Sequence, residues 1–108
     1  MQSNSIKFTL YIGSNNKTKE LDTDTIKRVL QHFKIHAYTY QEALGYWNNS
    51  PEKNALVTIL TEEASPLALS IPYLAGELAR ILEQDAVLVE STASNMFTSN
   101  LYAPSLTL

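Results

Sequence analysis

The sequence has no cysteine, only three glycines and two histidines, and no long apolar run. Without cysteine there can be no disulfide, thiolate metal site or cysteine nucleophile. A helix that crosses a bilayer needs about 20 apolar residues, so we expect no membrane partner. Basic residues are also scarce, because eight lysines and arginines stand against eleven acidic residues and leave a net charge of −3. This balance argues against a nucleic-acid partner, whose phosphates call for basic surfaces.

What is present is a chain of 108 residues that is 44 % hydrophobic, enough for one globular domain and too little for two. The start of the chain lacks the pattern of a signal peptide, since Lys7 interrupts the first apolar run. We therefore expect a soluble cytoplasmic protein with one domain over residues 1–90. Residues 91–108 carry no charged side chain. We expect this C-terminal segment to form an added strand or arm, with a frayed end as the alternative.

The first part of the chain shows a strand, a helix and a second strand. Apolar and polar residues alternate over residues 6–12, the period of a strand that is buried on one face. Capping residues at 22–25 precede apolar residues at helical spacing over 26–33, which predicts a helix of about three turns. Aromatic and β-branched residues favour a second strand over 35–41.

The second part repeats this order after a turn-rich stretch at residues 45–51. Residues 54–60 predict a third strand, which forms a hairpin with the second. Pro72 disfavours a helix that begins near residue 65, so we predict a start near Ser70. An apolar run at 86–90 predicts a fourth strand. The order β-α-β-β-α-β predicts an α+β ferredoxin-like plait, with a four-stranded antiparallel sheet and two helices on one face.

Both faces of this sheet are expected to be apolar. Val57 and Ile59 point to one side of the third strand, and Leu56 and Leu60 point to the other. Since the helices cover one face only, the second face needs another cover. We predict a homo-oligomer, possibly a trimer, that assembles through this face, with the C-terminal segment folding back over it as the alternative.

The loop after the first strand is the first candidate binding site. Its amides, hydroxyl and lysine precede a helix and could hold a phosphate or carboxylate. It is not a P-loop, because asparagine stands where that motif has glycine before the lysine. A turn with no ligand is the alternative. The candidate residues are Tyr11, Ser14, Asn15, Asn16 and Lys17.

The second candidate is the aromatic pair Tyr46 and Trp47 in the loop predicted between the second and third strands. Trp47 is the only tryptophan of the chain. Aromatic rings here could stack on a planar base or anchor a partner protein. The alternative is that they pack against the sheet or a second subunit. The two candidates would share one cleft only where the aromatic pair of one subunit reaches the loop of another.

The element order, with a glycine-containing connection between strands two and three, resembles that of PII-like signalling proteins and CutA-type trimers. In the PII family, nucleotides bind between the subunits of a trimer, and loops after strands two and three contribute to the site. The resemblance places these loops at residues 44–51 and 61–66. Both depart from the family, since the second loop has no glycine and the first is short. What the resemblance implies is a signalling protein that binds a nucleotide between subunits.

Together these features predict a non-enzymatic oligomer that senses or sequesters a nucleotide or another small anion. No metal ion or cofactor is called for. One alternative is a protein-interaction module that docks through the Trp47 loop and the C-terminal segment. Another is a small enzyme that uses Glu90, His32 or His36, although no motif places a catalytic partner beside any of them.

Overall fold

The computed structural model describes the backbone of residues 2–97, with the side chains of residues 4–46 and 48–94. Four strands and two helices alternate in the predicted order. The elements are β1 (Gln2–Ile12), α1 (Thr23–His32), β2 (Thr39–Trp47), β3 (Ser50–Glu62), α2 (Pro66–Ile81) and β4 (Leu88–Phe97). No helix in this described part is long and apolar enough to cross a membrane.

The four strands form one sheet in the order β2-β3-β1-β4. Every neighbouring pair is antiparallel, and the central strand β1 pairs with β3 on one side and β4 on the other. Leu10 lies opposite Val57 of β3 and Val89 of β4. This arrangement confirms the predicted α+β ferredoxin-like fold.

The core lies between one face of the sheet and the two helices. Alternate residues of the central strands supply one side of it, including Leu10, Val57 and Ile59, each at most 1 % exposed. The helices supply the other side through an apolar stripe on each. The fully buried helical side chains are Ile26, Leu30, Ile71, Leu74 and Leu78.

Helix α1 begins where the capping residues predict. The Asp22 carboxylate accepts hydrogen bonds from the Thr25 hydroxyl at 2.7 Å and the Thr25 N–H at 3.1 Å. These bonds lower the pKa of Asp22, because they stabilise the charged carboxylate. The cap satisfies a backbone donor that the first helical turn leaves free.

Helix α2 begins earlier than predicted. Ser65 is its N-cap, with the side chain accepting from the Ala68 N–H at 3.1 Å, and Pro66 follows in the first turn. The helix then continues through Pro72, whose ring is exposed. The prediction of a start near Ser70 is wrong, because proline removes only one intrahelical hydrogen bond here. Burial of the apolar stripe on either side of it outweighs that loss.

The connection between β2 and β3 also differs from the predicted loop. The strands continue through the turn-rich stretch and are joined by two residues, Asn48 and Asn49. Both have positive φ, 49° and 62°. Asparagine tolerates this left-handed backbone better than most residues, and two such residues in succession make the tight hairpin turn that suits twisted strands. Tyr46 and Trp47 therefore lie on a strand, not in a loop.

Strand β4 begins later and runs further than predicted. It starts at Leu88, and its backbone pairs with β1 as far as Phe97 opposite Gln2. Residues 91–97 of the C-terminal segment thus extend this strand. Residues 98–108 lie outside the described part of the chain, so the division of the chain at residue 90 stays a prediction.

Candidate functional site

The candidate site is built around the point where the chain leaves β1. Ser14 is buried there, and its hydroxyl donates to the Lys53 carbonyl at 2.8 Å. The Ser14 N–H donates to Oε1 of Glu52, also at 2.8 Å. Two bonds thus attach the first candidate loop to β3 near the hairpin turn.

A third attachment comes from the turn between α2 and β4. Oε1 of Gln84 accepts from the Gly13 N–H at 3.3 Å, and Nε2 of Gln84 donates to the Ser14 carbonyl at 2.5 Å. The first backbone donors after β1 are therefore engaged by side chains from two distant segments.

The rest of the loop is closed by Asn15. Its side-chain oxygen accepts from the N–H groups of Lys17 at 2.8 Å and Thr18 at 3.1 Å. Its backbone bonds to Glu20 at 2.9 Å and to Lys19 at 2.8 Å. This is the local hydrogen bonding by which asparagine stabilises turns. The Lys17 side chain points to α2's end and lies 2.9 Å from Oε1 of Glu83.

An open cleft of about 1090 Å³ lies between this loop and the β2–β3 hairpin. Asn16 is exposed on the loop side, and Leu44 is exposed on the hairpin side. The wall mixes three carboxylates and two lysines with three apolar side chains. The lining residues are Ser14, Asn15, Asn16, Lys19, Glu20, Leu21, Glu42, Leu44, Ser50, Pro51, Glu52 and Lys53.

The aromatic candidates lie at the end of β2, beyond the cleft-lining residue Leu44. Tyr46 is 68 % exposed and shares a strand face with Leu44, two residues before it, because side chains alternate along a strand. The backbone of Trp47 ends β2, and its side chain lies outside the described residues. Tyr46 is not among the residues that line the cleft, and Leu44 lines it from this strand face.

Tyr11 lies on the other face of the sheet, away from the cleft. Its hydroxyl donates to Oε1 of Glu90 at 3.0 Å, and this bond to a carboxylate raises the pKa of Tyr11. Leu60 and Leu88 are 50 % and 69 % exposed on the same face. We call this surface, opposite the helices, the open face. Its apolar side chains are interspersed with polar ones, among them Lys7 opposite Leu60 and Glu90 on the edge strand β4.

The two histidines lie apart from both surfaces. His32 ends α1 and lines a groove of about 380 Å³ between the helices, together with Arg28 and Glu77. His36 is exposed in the connection before β2. No group of three metal-ligating side chains forms within the described residues.

Sequence reasoning missed the roles of Glu52 and Gln84. Each contacts the loop across a long sequence separation, 38 residues for Glu52 to Ser14 and 71 for Gln84 to Gly13. The one local signal is Gly13 itself. A Cβ atom there would lie 2.7 Å from Oε1 of Glu52 and 2.9 Å from Nε2 of Gln84, so a larger residue leaves no room for these side chains.

Comparison with known proteins gives a fold and no family. No protein-family model matches the chain, and no curated protein matches it. A phage SAM lyase in its apo state matches with a TM-score of 0.61 and 11 % identity, over 89 % of this chain and 91 % of that one.

A second solved structure has the same fold. It is CPII, a nitrogen regulatory PII-like protein from Thiomonas intermedia K12, bound to ADP, AMP and bicarbonate. It matches with a TM-score of 0.54 and 10 % identity, over 92 % of this chain and 99 % of that one. The resemblance to PII-like proteins is therefore confirmed at the level of the fold.

Proposed function

We propose that this protein binds a small ligand with an adenosine group and functions as a homo-oligomer that senses or sequesters it in the cytoplasm. The observation that carries the proposal is the cleft between the loop after β1 and the β2–β3 hairpin. Its volume of about 1090 Å³ is ample for a nucleoside or nucleotide. The two structural neighbours support the ligand class, because CPII is bound to ADP and AMP, and SAM also contains adenosine.

The lining offers what an adenosine group requires. Leu21, Leu44 and Pro51 supply apolar contact for a base, and Asn16 supplies an amide for its polar edge or for a ribose. Tyr46, exposed beside them, supplies a ring for stacking. Trp47 stays a predicted second stacking residue.

The oligomer would form through the open face. Exposed apolar side chains on the described strands, Tyr11, Leu60 and Leu88, lie there together. Burial of such a surface against a second copy removes it from water and gives a repeated, symmetric contact. A trimer is the state that the PII-like resemblance implies.

Equilibrium dialysis with adenosine, AMP, ADP and SAM tests the ligand class. We expect at least one of the four to bind with a Kd below about 100 µM. Tyr46→Ala should weaken that binding about tenfold, since stacking on an aromatic ring contributes about 1–3 kcal/mol. Tyr73→Ala is the matched control, because Tyr73 is 74 % exposed on α2 and not on the hairpin that lines the cleft. Binding of none of the four contradicts the proposal.

A second candidate function is catalysis on the open face. The hydrogen bond between the Tyr11 hydroxyl and the Glu90 carboxylate places a proton donor and an acceptor 3.0 Å apart. Such a pair can act in acid–base chemistry, and the SAM lyase neighbour suggests SAM as the substrate to try.

Chromatography of SAM incubated with the protein tests this candidate. Catalysis predicts that SAM is consumed by the wild type and by Glu63→Gln, and is left intact by Glu90→Gln. Glu63 is an exposed acid after β3, so its variant removes the same charge without touching the pair. SAM that remains intact with the wild type excludes this candidate and leaves the binding proposal standing.

A further inference from the structure

Glu52 occupies the position in which a bound phosphate would be expected. The side chain is partly buried near the hairpin turn, and Oε1 accepts the Ser14 N–H at 2.8 Å. Backbone N–H groups between a strand and a following helix are common ligands of phosphate oxygens. Here a carboxylate of the same chain takes that donor.

Neighbouring bonds engage the other backbone and side-chain donors of Gly13 and Ser14. The Gly13 N–H is bonded to Gln84, and the Ser14 hydroxyl donates to the Lys53 carbonyl. The absence of a Cβ at Gly13 lets the side chains of Glu52 and Gln84 approach the backbone this closely. The small glycine therefore serves the contact with an internal carboxylate.

The other charged side chains of the cleft also disfavour a phosphate. Glu20, Glu42 and Glu52 line it, against Lys19 and Lys53. Lys17, the cation predicted to hold an anion, is paired with Glu83 instead. An added phosphate would thus meet an excess of carboxylates.

We infer that Glu52 is a specificity-determining residue that makes the cleft prefer an unphosphorylated adenosine ligand over its phosphorylated counterpart. The inference rests on the proposed function and narrows it. The Glu52 carboxylate accepts the hydrogen bond of the Ser14 N–H, and its negative charge repels a phosphate. The group that the cleft recognises is then the nucleoside part of the ligand, and not the small anion that the sequence predicted.

Isothermal titration with adenosine and with AMP tests the inference, because the two ligands differ by one phosphate. We expect AMP to bind the wild type at least about tenfold more weakly than adenosine. Glu52→Gln keeps an oxygen that can accept the Ser14 N–H and removes the charge. It should reduce the AMP-to-adenosine ratio of Kd values about threefold to tenfold.

Glu62→Gln is the matched control. It removes the same charge from the far end of β3, opposite Ser5, and should leave the ratio unchanged. An unchanged ratio in Glu52→Gln, or wild-type binding of AMP as tight as that of adenosine, overturns the inference while the binding proposal survives. Failure of both ligands to bind the wild type overturns both.

A measurement on the wild type alone covers the case in which Glu52→Gln does not fold. Added salt screens charge repulsion, so raising the ionic strength should tighten AMP binding and leave adenosine binding unchanged. Weaker AMP binding at high salt would mean that the cleft attracts the phosphate, and would also overturn the inference.

Discussion

The two faces of the sheet both carry large apolar side chains and differ in what covers them. On the helix-covered face, Leu10 and Val57 are completely buried. On the open face, Tyr11 directly follows Leu10 and is 39 % exposed, and Leu60 lies three residues after Val57 and is 50 % exposed. A face that met only water would normally alternate to polar residues. The exposed Tyr11 and Leu60 are therefore the side chains on which the proposed contact between copies depends.

The largest expected effect is a difference in unfolding free energy between two leucine-to-alanine variants, one on each face of the sheet. Leu10→Ala should lower the free energy of unfolding by about 2–5 kcal/mol, because it leaves a cavity in the core. Leu60→Ala removes a side chain that is already half solvated and should cost about 1 kcal/mol. Urea unfolding followed by circular dichroism measures both. Equal losses would mean that the two faces are equally buried in solution.

The second prediction breaks the proposed contact on the open face. Leu60→Asp places a charge in that surface and should shift light scattering from an oligomer to the mass of one chain, with the circular dichroism spectrum unchanged. Leu69→Asp is the control, since Leu69 is 67 % exposed on α2 and lies on the helical side. A monomeric wild type, or the same dissociation in both variants, contradicts assembly through the open face.

A smaller effect on the helix-covered side comes from the cap of α1. Asp22→Ala should cost about 1 kcal/mol of unfolding free energy, because it leaves the Thr25 N–H without its acceptor. The folded pKa of Asp22 is lowered, so its contribution is present above the unfolded pKa and is lost as the pH falls through the folded pKa.

The Asp22→Asn variant keeps a capping side chain and removes its negative charge. Asparagine caps a helix about as well as aspartate, so this variant should match the wild type in strongly acidic buffer. At neutral pH the wild type should be the more stable of the two. Urea unfolding at both pH values measures this difference, and a difference that does not depend on pH would refute the assignment.

The smallest expected effect concerns the acid on the open face. Glu90→Gln should move the pKa of Tyr11 back toward its ordinary value, since the Glu90 carboxylate raises it through a hydrogen bond and charge repulsion. The pair stabilises the fold below the ordinary pKa of tyrosine, and this contribution disappears as the pH rises through the folded value. Tyrosinate absorbance, with Tyr11→Phe subtracted, isolates this titration. An unchanged curve in Glu90→Gln would show that the bond does not persist in solution.

The sequence was sufficient for the element order and the faces of the central strands. Alternation over residues 6–12 and 54–60 is local, and it predicts which side chains point to the core. The ferredoxin-like topology follows from that order and the handedness of the crossovers. Element order and strand faces are therefore determined by residues that are close together in the sequence.

The hairpin and α2 were harder to predict because competing signals lie side by side. Gly45 and Pro51 are typical of turns, yet both lie in strands, opposite Glu52 and Tyr46. A Cβ at Gly45 would collide with the Asn54 side chain, so glycine leaves room for that side chain across the hairpin. Pro72 reads as a helix breaker, although tertiary packing retains the helix around it.

The candidate site could be predicted only in part. Polar residues after β1 were identified, and the cleft does include Ser14, Asn15 and Asn16. The partners of this loop were not, since Glu52 and Gln84 reach it from segments that only the folded chain brings near. Lysine and amide content alone suggested an anion, because these contacts of the loop are not visible in the sequence.

The pairing of β1 also bears on how the chain folds. This strand joins β3 and β4, and its last pair connects residue 2 to residue 97. Such distant contacts require large loops to close, which makes folding slower than in helical domains of similar size. During synthesis β1 emerges first and waits for both partners. The backbone edge of β1 that pairs with β4 therefore stays unpaired until nearly all of the described chain has been made, and unpaired strand edges are prone to aggregation.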